Sequence, residues 1–359
     1  LNFIPQKAIS PRYVFNCSNV PKGYVNSQGK SNPDPYFRRD GDISMSIQPL
    51  AKDTTFTDIA RWYVVAWKTI TDGPDSRTIA TVAQSAKLET AVREAKSVIR
   101  KAFAVPKEKL DSEHLGWWHK FYEQAAFLTF PDKDIERFYW FQYYKFASTA
   151  RPGKPVVDLQ GVWPTCDTPW PAIWMNLNIQ LTYSWLTKAN LGFLEQPLWD
   201  ALWKNRDNLT RNVTDIRGQE DWTECRVLPR ASGYDFHAPL NPALAQRNQY
   251  EVGNLTWTLF YYWQMCEAYG DDHQMKARLF PLLKSAVNIF FRIRIQNLDG
   301  TYSLPSTASP EYGEGDLGEI GTNTNYDLAN LRWGLSTLIE IDGKYGMNDP
   351  MLPQWKDFL

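Results

Sequence analysis

The chain has 359 residues, a net charge of -1 at pH 7 and a hydrophobic content of 43%. Length and hydrophobic content allow a large core and exclude extended disorder, and the balanced charge offers no basic face that could follow a phosphate backbone. The longest apolar runs are far shorter than the roughly 20 residues that cross a bilayer, so no membrane span is expected.

The first 75 residues are predicted to form strands and loops. Gly41–Gln48 alternates apolar with polar residues, and Ala60–Trp67 is apolar and β-branched enough for a buried strand. Asn32–Pro35 and Asp72–Pro74 have the composition of turns. Since a few strands do not make a stable sheet alone, we interpret residues 1–75 as the C-terminal part of a β-sandwich domain.

A helical region is predicted to follow. Apolar residues from Ser76 to Phe103 recur near the helical period, so residues 76–112 are interpreted as a helical linker. Residues 113–359 are predicted to be mainly helical, with candidate helices at Leu115–Phe130, Asp134–Ser148, Trp174–Ala189, Phe193–Asp215, Asn248–Tyr269, Gln274–Gln296 and Asn325–Tyr345.

The connections between these helices are long and rich in Pro, Gly, Trp and Asp, as at residues 153–170 and 218–242. Long ordered loops are commonly functional. The predicted fold is therefore mainly α, an α/α toroid with its site at one loop-rich end.

A loop of small residues, prolines and an aromatic, Leu304–Gly313, carries a single carboxylate, Glu311. Its Ser-Pro and Pro-Glu steps do not continue a helix or a central strand. A partly desolvated carboxyl retains its proton closer to neutral pH, as a general acid must. The alternative is that Glu311 caps the next helix or pairs with an arginine.

A second polar cluster lies at Asn176 and Asn178, whose carboxamides could hold a water or a sugar hydroxyl. The alternative is an N-cap plus a turn residue. The chain has 16 Trp, 18 Tyr and 18 Phe, and such rings stack on sugars. We therefore predict that substrate contacts come from Trp163, Trp170, Trp174 and Tyr312, although a core built of large side chains would explain most of the aromatic residues.

Other polar residues give weaker signals. His237 could bind a sugar hydroxyl or be structural, and Glu251, Asp221 and Glu224 could replace a base, although a solvated or capping role is the alternative for each. The acidic run Glu314, Asp316 and Glu319 lacks the spacing of a calcium loop and is interpreted as solvated.

The four cysteines (Cys17, Cys166, Cys225 and Cys266) contain no Cys-x-x-Cys pair, so neither a metal site nor a cofactor is predicted. Free buried thiols are expected, with one or two disulfides as the alternative. Glycosylation sequons at Asn16, Asn208, Asn212 and Asn254 give weak support for a secreted product.

Four motifs in order resemble the family 95 glycoside hydrolases, which include α-L-fucosidases and α-L-galactosidases. They are Arg151–Gly153 with Leu159–Trp163, Asn176–Gln180 with Tyr183, Asp271 with Phe280–Lys284, and Pro305–Glu311. The resemblance implies a β-sandwich, a helical linker and an (α/α)6 barrel. Because the helices counted from His114 are too few for a closed barrel, the chain is expected to be part of a larger enzyme.

The resemblance also implies roles for individual residues. Glu311 would protonate the glycosidic oxygen, and Asn176 and Asn178 would hold the attacking water of an inverting reaction. The family's assisting aspartate is not matched convincingly, because Ile341–Lys344 reads as a helix end. Departures such as the extra Ala308 and Tyr312 after the glutamate concern the sugar preference more than the hydrolase class.

The resulting hypothesis is an exo-acting, inverting α-L-fucosidase-type glycosidase that acts on an oligosaccharide or glycan and is secreted or periplasmic. The alternative is a non-catalytic carbohydrate-binding or scaffolding toroid that has lost the base. A polysaccharide lyase is disfavoured, because the four histidines do not supply the residue set that it needs.

Overall fold

The computed structural model describes residues 32–51, 61–159, 161, 173–237, 251–307 and 321–359. The chain divides into two compact units, Leu1–Gln124 and Ala125–Leu359. Each is described by itself. The predicted division into sandwich, linker and barrel remains a prediction.

The first unit contains a four-stranded antiparallel sheet in which each strand pairs with the next along the chain. The strands are β1 (Tyr36–Asp40), β2 (Ile43–Pro49), β3 (Trp62–Asp72) and β4 (Asp75–Ser85). Gly73, with a φ of +58°, turns the chain between β3 and β4. Glycine adopts this backbone conformation without steric cost. Both predicted strands and the turn at residues 72–74 are thereby confirmed.

The helix predicted from Ser76 is wrong over its first ten or so residues, which form β4. Ile79 and Val82 are three apart and fit a helical period, but Thr78, Ile79, Thr81 and Val82 are all β-branched and favour a strand. Pairing with β3 along the whole of β4 decides between the two. The helix α1 begins only at Leu88 and ends at Phe103.

The core of the first unit lies between one face of the sheet and α1. Strand residues Ile43, Met45, Ile47, Val64 and Ala66 are buried together with the apolar stripe of α1, Ala91, Val92, Ala95 and Ile99. The other face of the sheet carries Phe37 and Val82, which are mostly exposed. A second helix, α2 (Lys107–Gln124), completes the described part of the unit.

The second unit is mainly helical, as the sequence predicts. Its helices are α3 (Lys133–Thr149), α4 (Asn178–Tyr183), α5 (Gln196–Lys204), α6 (Arg206–Thr214), α7 (Asn254–Tyr269), α8 (Phe280–Ile293), α9 (Asn325–Tyr345) and α10 (Leu352–Phe358). A short helical turn (Asp272–Gln274) and a π-helical segment (Met275–Leu279) lead into α8, and a 3₁₀ turn (Gly192–Leu194) precedes α5. Through the described ranges, no helix is long and apolar enough to cross a membrane.

Two of the predicted helices are considerably shorter than the pattern suggested. The helix expected over residues 174–189 reduces to α4, followed by turns that end at Asn190 in the left-handed region. The one expected over residues 193–215 is interrupted at Asn205, between α5 and α6. At the second interruption, Nδ2 of Asn205 donates to the backbone carbonyl of Ala201 at 2.9 Å, and such local competition disfavours a continuous helix.

Helices α7, α8 and α9 pack closely. A Cβ added at Gly334 of α9 would lie 2.6 Å from Cγ2 of Val287 in α8 and 3.4 Å from Cγ2 of Thr256 in α7. Helix α9 ends at Tyr345 and is capped by Gly346, which has a φ of +61°. The helix end predicted at residues 341–344 is therefore confirmed, except that the capping glycine is Gly346 and not Gly343.

Candidate functional site

The two predicted asparagines lie at a turn that a small sheet holds in place. Strand β5 (Ile173–Trp174) pairs with β6 (Ala231–Ser232), and the N–H of Met175 donates to the carbonyl of Arg230 at 2.7 Å. The turn of residues 175–177 then leads into α4 at Asn178. Trp174, a predicted substrate contact, is half-buried in β5.

The expected N-cap role for one of these asparagines is wrong. The N-cap of α4 is Leu177, which makes no side-chain capping hydrogen bond. Asn176 is 3% exposed, whereas Asn178 is half-buried as the first residue of α4. Neither asparagine is therefore needed to start the helix.

Gln180 ties this turn to the centre of the unit. Its Nε2 donates to the carbonyl of Met175 and, at 3.1 Å, to Oγ1 of Thr258 on α7. The hydroxyl of Thr258 donates to the backbone carbonyl of Asn254 at 2.8 Å. Because Gln180 and Thr258 are both buried, these bonds replace water contacts and fix the turn against α7.

Asn254, at the start of α7, joins two further polar groups. Its Nδ2 donates to Oε2 of Glu251 at 3.1 Å, and its Oδ1 accepts from the Tyr326 hydroxyl at 2.7 Å. Glu251 is fully buried and accepts from Nε of Arg230 at 2.8 Å and from the Nη2 of the same guanidinium. The solvated role considered for Glu251 is therefore wrong, because an arginine and an asparagine pair with it in the interior.

We call this set the polar network: Gln180, Thr258, Asn254, Glu251, Arg230 and Tyr326. It connects the asparagine turn, through α7, to the first turn of α9. Buried polar groups that are satisfied in this way hold one arrangement of the elements that contribute them.

The first turn of α9 carries Asp327, a carboxylate that sequence reasoning missed. It is completely buried and accepts, on Oδ2, from the Thr324 hydroxyl at 2.9 Å and from the Thr307 hydroxyl. Burial raises the pKa of Asp327 to about 6, although both hydroxyls act in the opposite direction. The Thr-x-x-Asp spacing from Thr324 is a helix-start signal that could have identified it.

Thr307, which donates to Asp327, lies near the predicted general acid in sequence. It is 1% exposed and precedes Glu311 by four residues. Glu311, Tyr312, Trp163 and Trp170 lie outside the described residues, as do Glu314, Asp316 and Glu319. Their predicted roles remain predictions.

His237 lies at the end of the loop that follows β6. Its Nε2 is 3.3 Å from Oδ2 of Asp215, and the side chain is 9% exposed. Burial lowers the pKa of the His237 imidazole and Arg211 lowers it further, so the ring is largely neutral at pH 7. These contacts agree with a structural role, and a substrate contact remains a prediction.

Two glycosylation sequons are part of the interior. Nδ2 of Asn212 donates to the carbonyls of Val227 and Phe236, at 3.1 and 2.8 Å, and the residue is 5% exposed. Asn254 is completely buried within the polar network. Neither amide is accessible in the folded protein, so these sequons give no support for secretion.

The remaining polar candidates are accounted for by nearby partners. Asp221 and Glu224 both pair with Arg292, at 3.5 and 2.5 Å. Cys225 and Cys266 are free and buried, as expected, and Cys17 and Cys166 lie outside the described residues. Within the described ranges, no group of three or more His, Cys, Asp or Glu side chains is arranged to hold a metal ion.

Comparison with known proteins identifies a family. Residues 120–359 match the family model described as the glycosyl hydrolase family 95 catalytic domain, which confirms the resemblance found in the motifs. Alpha-L-fucosidase 2 of Arabidopsis thaliana is 24% identical over 59% of this chain and 26% of its own length. Probable alpha-fucosidase A of Aspergillus niger is 24% identical over 47% of this chain and 22% of its own length. The chain thus spans about a quarter of each relative.

Among solved structures, a putative kojibiose phosphorylase from human microbiome has a TM-score of 0.64 and 12% sequence identity. The match covers 93% of this chain and 49% of that protein. At this identity the likeness concerns the fold alone.

Proposed function

Because the chain belongs to glycosyl hydrolase family 95, we propose that it is an inverting exo-glycosidase of the α-L-fucosidase type, acting on an oligosaccharide or glycan. Glu311 is the general acid that protonates the glycosidic oxygen. Asn176 and Asn178 hold the water that attacks the anomeric carbon. In this proposal the helical region is part of an (α/α)6 toroid.

One observation carries this proposal. The polar network runs from the turn with Asn176 to the start of α9, where Asp327 binds Thr307, four residues before Glu311. Buried hydrogen bonds therefore link the turn with Asn176 to Tyr326, and Asp327, the next residue of α9, binds Thr307. An inverting enzyme needs such a framework, because its acid and its water-activating group must remain about 6.5–9.5 Å apart.

The chemistry assigned to each side chain follows from its type. A carboxylic acid can donate a proton to a leaving alkoxide, whereas a carboxamide can both donate to and accept from a water. An uncharged pair of asparagines orients the water without itself removing a proton. The base is thus a further group, which the described residues do not identify.

A secreted or periplasmic location is proposed from the substrate class and the sequons at Asn16 and Asn208, since the buried sequons at Asn212 and Asn254 provide no support.

The test is sugar release from a panel of fucosylated and galactosylated oligosaccharides, with the anomer followed by NMR. We expect one sugar to be released with inverted configuration. Glu311→Gln should lower kcat on oligosaccharides by about 10²–10⁴-fold and should lower it far less on an aryl glycoside with a good leaving group. Glu340→Gln, on an exposed part of α9, is the control and should leave both rates unchanged.

A non-catalytic carbohydrate-binding protein would give another pattern. It would bind sugar without releasing any, and Glu311→Gln would not change that binding. Release with retained configuration would refute the inverting mechanism, since two carboxyl groups about 5–5.5 Å apart and a covalent intermediate would then be required.

A further inference from the structure

Asp327 does more than cap a helix. The Thr324 hydroxyl accepts from the N–H of Asp327 at 3.3 Å and donates to its Oδ2 at 2.9 Å, which by itself is a complete helix cap. Helix caps usually lie at the surface, yet Asp327 is completely buried. Its burial therefore requires a reason other than capping.

The reason suggested by the structure is Thr307. Its hydroxyl donates to the same Oδ2, from a residue 20 positions earlier in the chain. The other oxygen, Oδ1, is buried and has no partner among the described residues. A buried carboxylate with an unsatisfied oxygen is costly, and the hydrogen bond from Thr307 offsets part of that cost.

Thr307 and Asp327 lie on the two sides of residues 308–320, and a second pair of residues lies beside them. Three residues before Thr307, the N–H of Leu304 donates to Oδ1 of Asn323 at 2.7 Å, and its carbonyl accepts from the N–H of Asn323 at 3.1 Å. Residues 308–320, which include Glu311, connect these two sides along the chain. The Leu304–Asn323 and Thr307–Asp327 pairs thus fix where that segment leaves and rejoins the unit.

We propose that Asp327 is a positioning residue for the general acid, because it holds Thr307 at the base of the segment that carries Glu311. This inference rests on the proposed function. Asp327 contacts neither substrate nor reacting atoms in this proposal, and it acts only through Thr307.

The polar network also links the first turn of α9 to the turn that is proposed to hold the water. Tyr326 precedes Asp327 in the first turn of α9 and donates to Asn254, which Thr258 and Gln180 link to the turn with Asn176. Thr307 and the water-binding turn are therefore joined by these hydrogen bonds and by the chain between Tyr326 and Asp327. A displacement of about 1 Å between reacting groups can cost about 10²-fold in rate, so loosening one anchor should reduce kcat without removing any catalytic group.

The sharpest variant pair is Thr307→Val and Thr307→Ser. Valine has nearly the shape of threonine without the hydroxyl, whereas serine retains the hydroxyl. Thr307→Val should lower kcat on oligosaccharides by about 10–100-fold with KM changed by less than about twofold, and it should have little effect on an aryl glycoside with a good leaving group. Thr307→Ser should remain within about threefold of the wild type on both substrates.

Two further variants complete the design. Asp327→Ala should show the same dependence of kcat on the leaving group. The double variant Thr307→Val/Asp327→Ala should have a kcat no lower than that of the slower single variant, because both substitutions remove the same hydrogen bond. Asp342→Asn is the control: it is another buried carboxylate of α9, at the opposite end, where its Oδ1 accepts from the N–H of Asp349 at 2.8 Å. It should leave kcat unchanged on both substrates.

The outcomes separate this inference from the function on which it rests. If Glu311→Gln shows the leaving-group signature and Thr307→Val does not, the positioning role is refuted and the proposed function stands. If Thr307→Val slows both substrates equally, the loss is not acid-specific and the inference is also refuted. If Glu311→Gln lacks the signature, the proposed function itself fails. Should Asp327→Ala not fold, the Thr307 pair still decides.

Discussion

The ion pair between Arg230 and Glu251 allows a quantitative test of the polar network. Glu251 is 0% exposed, and the Arg230 side chain is 11% exposed. The guanidinium supplies two of the donors to Glu251, through Nε at 2.8 Å and through Nη2. Arg230→Met removes both donors and the positive charge while retaining most of the side-chain volume.

The expected loss of stability in Arg230→Met follows from the donors that remain around the Glu251 carboxylate. Among the residues that the structure describes, only the neutral Nδ2 of Asn254, at 3.1 Å from Oε2, is left to donate to the carboxylate. Removing one partner of a buried ion pair typically costs about 3–5 kcal/mol, because the other charge is left without compensation. By contrast, the pair of Arg137 and Asp134 is 80% and 86% exposed, and such pairs contribute about 0–1 kcal/mol.

The assay is urea unfolding followed by tryptophan fluorescence and far-UV circular dichroism, with midpoints compared at equal m-values. Arg230→Met should lose about 3–5 kcal/mol and Arg137→Met at most about 1 kcal/mol. The double variant Arg230→Met/Glu251→Gln should recover at least half of the loss, since glutamine is uncharged and still accepts from Asn254. A midpoint shift for Arg230→Met as small as that for Arg137→Met would refute the reasoning.

Three further predictions concern the second unit. Burial raises the pKa of Glu195 from 4.5 to about 7. Between these two pH values the folded protein keeps the proton on Glu195, whereas the unfolded chain releases it. The free energy of unfolding should therefore fall by roughly 3 kcal/mol as the pH rises from 4.5 to 7. Glu195→Gln should remove that part of the pH dependence of urea unfolding, and an unchanged slope would contradict the assignment. Gly334→Ala should destabilise the unit by about 1–3 kcal/mol in thermal unfolding, because the new Cβ would lie 2.6 Å from its nearest side-chain atom. In Gly343→Ala, on the same helix, the new Cβ meets nothing within 4 Å. That variant should stabilise the unit by up to about 1 kcal/mol in the same assay. Burial raises the pKa of the Cys225 and Cys266 thiols to about 12, so neither should react with a thiol reagent until the protein is unfolded; rapid labelling of the native protein at either would show that the thiol is accessible.

The sequence predicted helices well where the helical spacing of apolar residues was not contradicted by β-branched composition. Helix α9 was predicted with the bounds that the structure has, Asn325–Tyr345, and α3 was predicted within a residue at each end. The prediction failed over residues 76–85, where helical spacing and β-branched composition disagreed. Pairing with β3 resolved that conflict, and a partner strand is a long-range feature that a short window of sequence does not contain.

The candidate site shows the same division. The sequence identified Asn176, Asn178 and Glu311 as polar groups in unusual loops, and four motifs in order indicated the family. It favoured a solvated or capping role for Glu251 and did not single out Asp327, because a glutamate or aspartate is ordinarily solvated and only its partners reveal that it is buried.

By itself, then, the sequence determined the mainly helical character, the strand–turn–strand pattern near the start and the chemistry available at the loops. Those properties depend on neighbours a few residues apart. Only the tertiary structure decided that Arg230 neutralises Glu251, that Asn254 is buried despite its sequon, and that Thr307 is bound to Asp327. Each is a contact between residues well separated in the chain or a burial produced by the whole unit, and a buried polar group becomes stable only when folding brings its partner within hydrogen-bond distance.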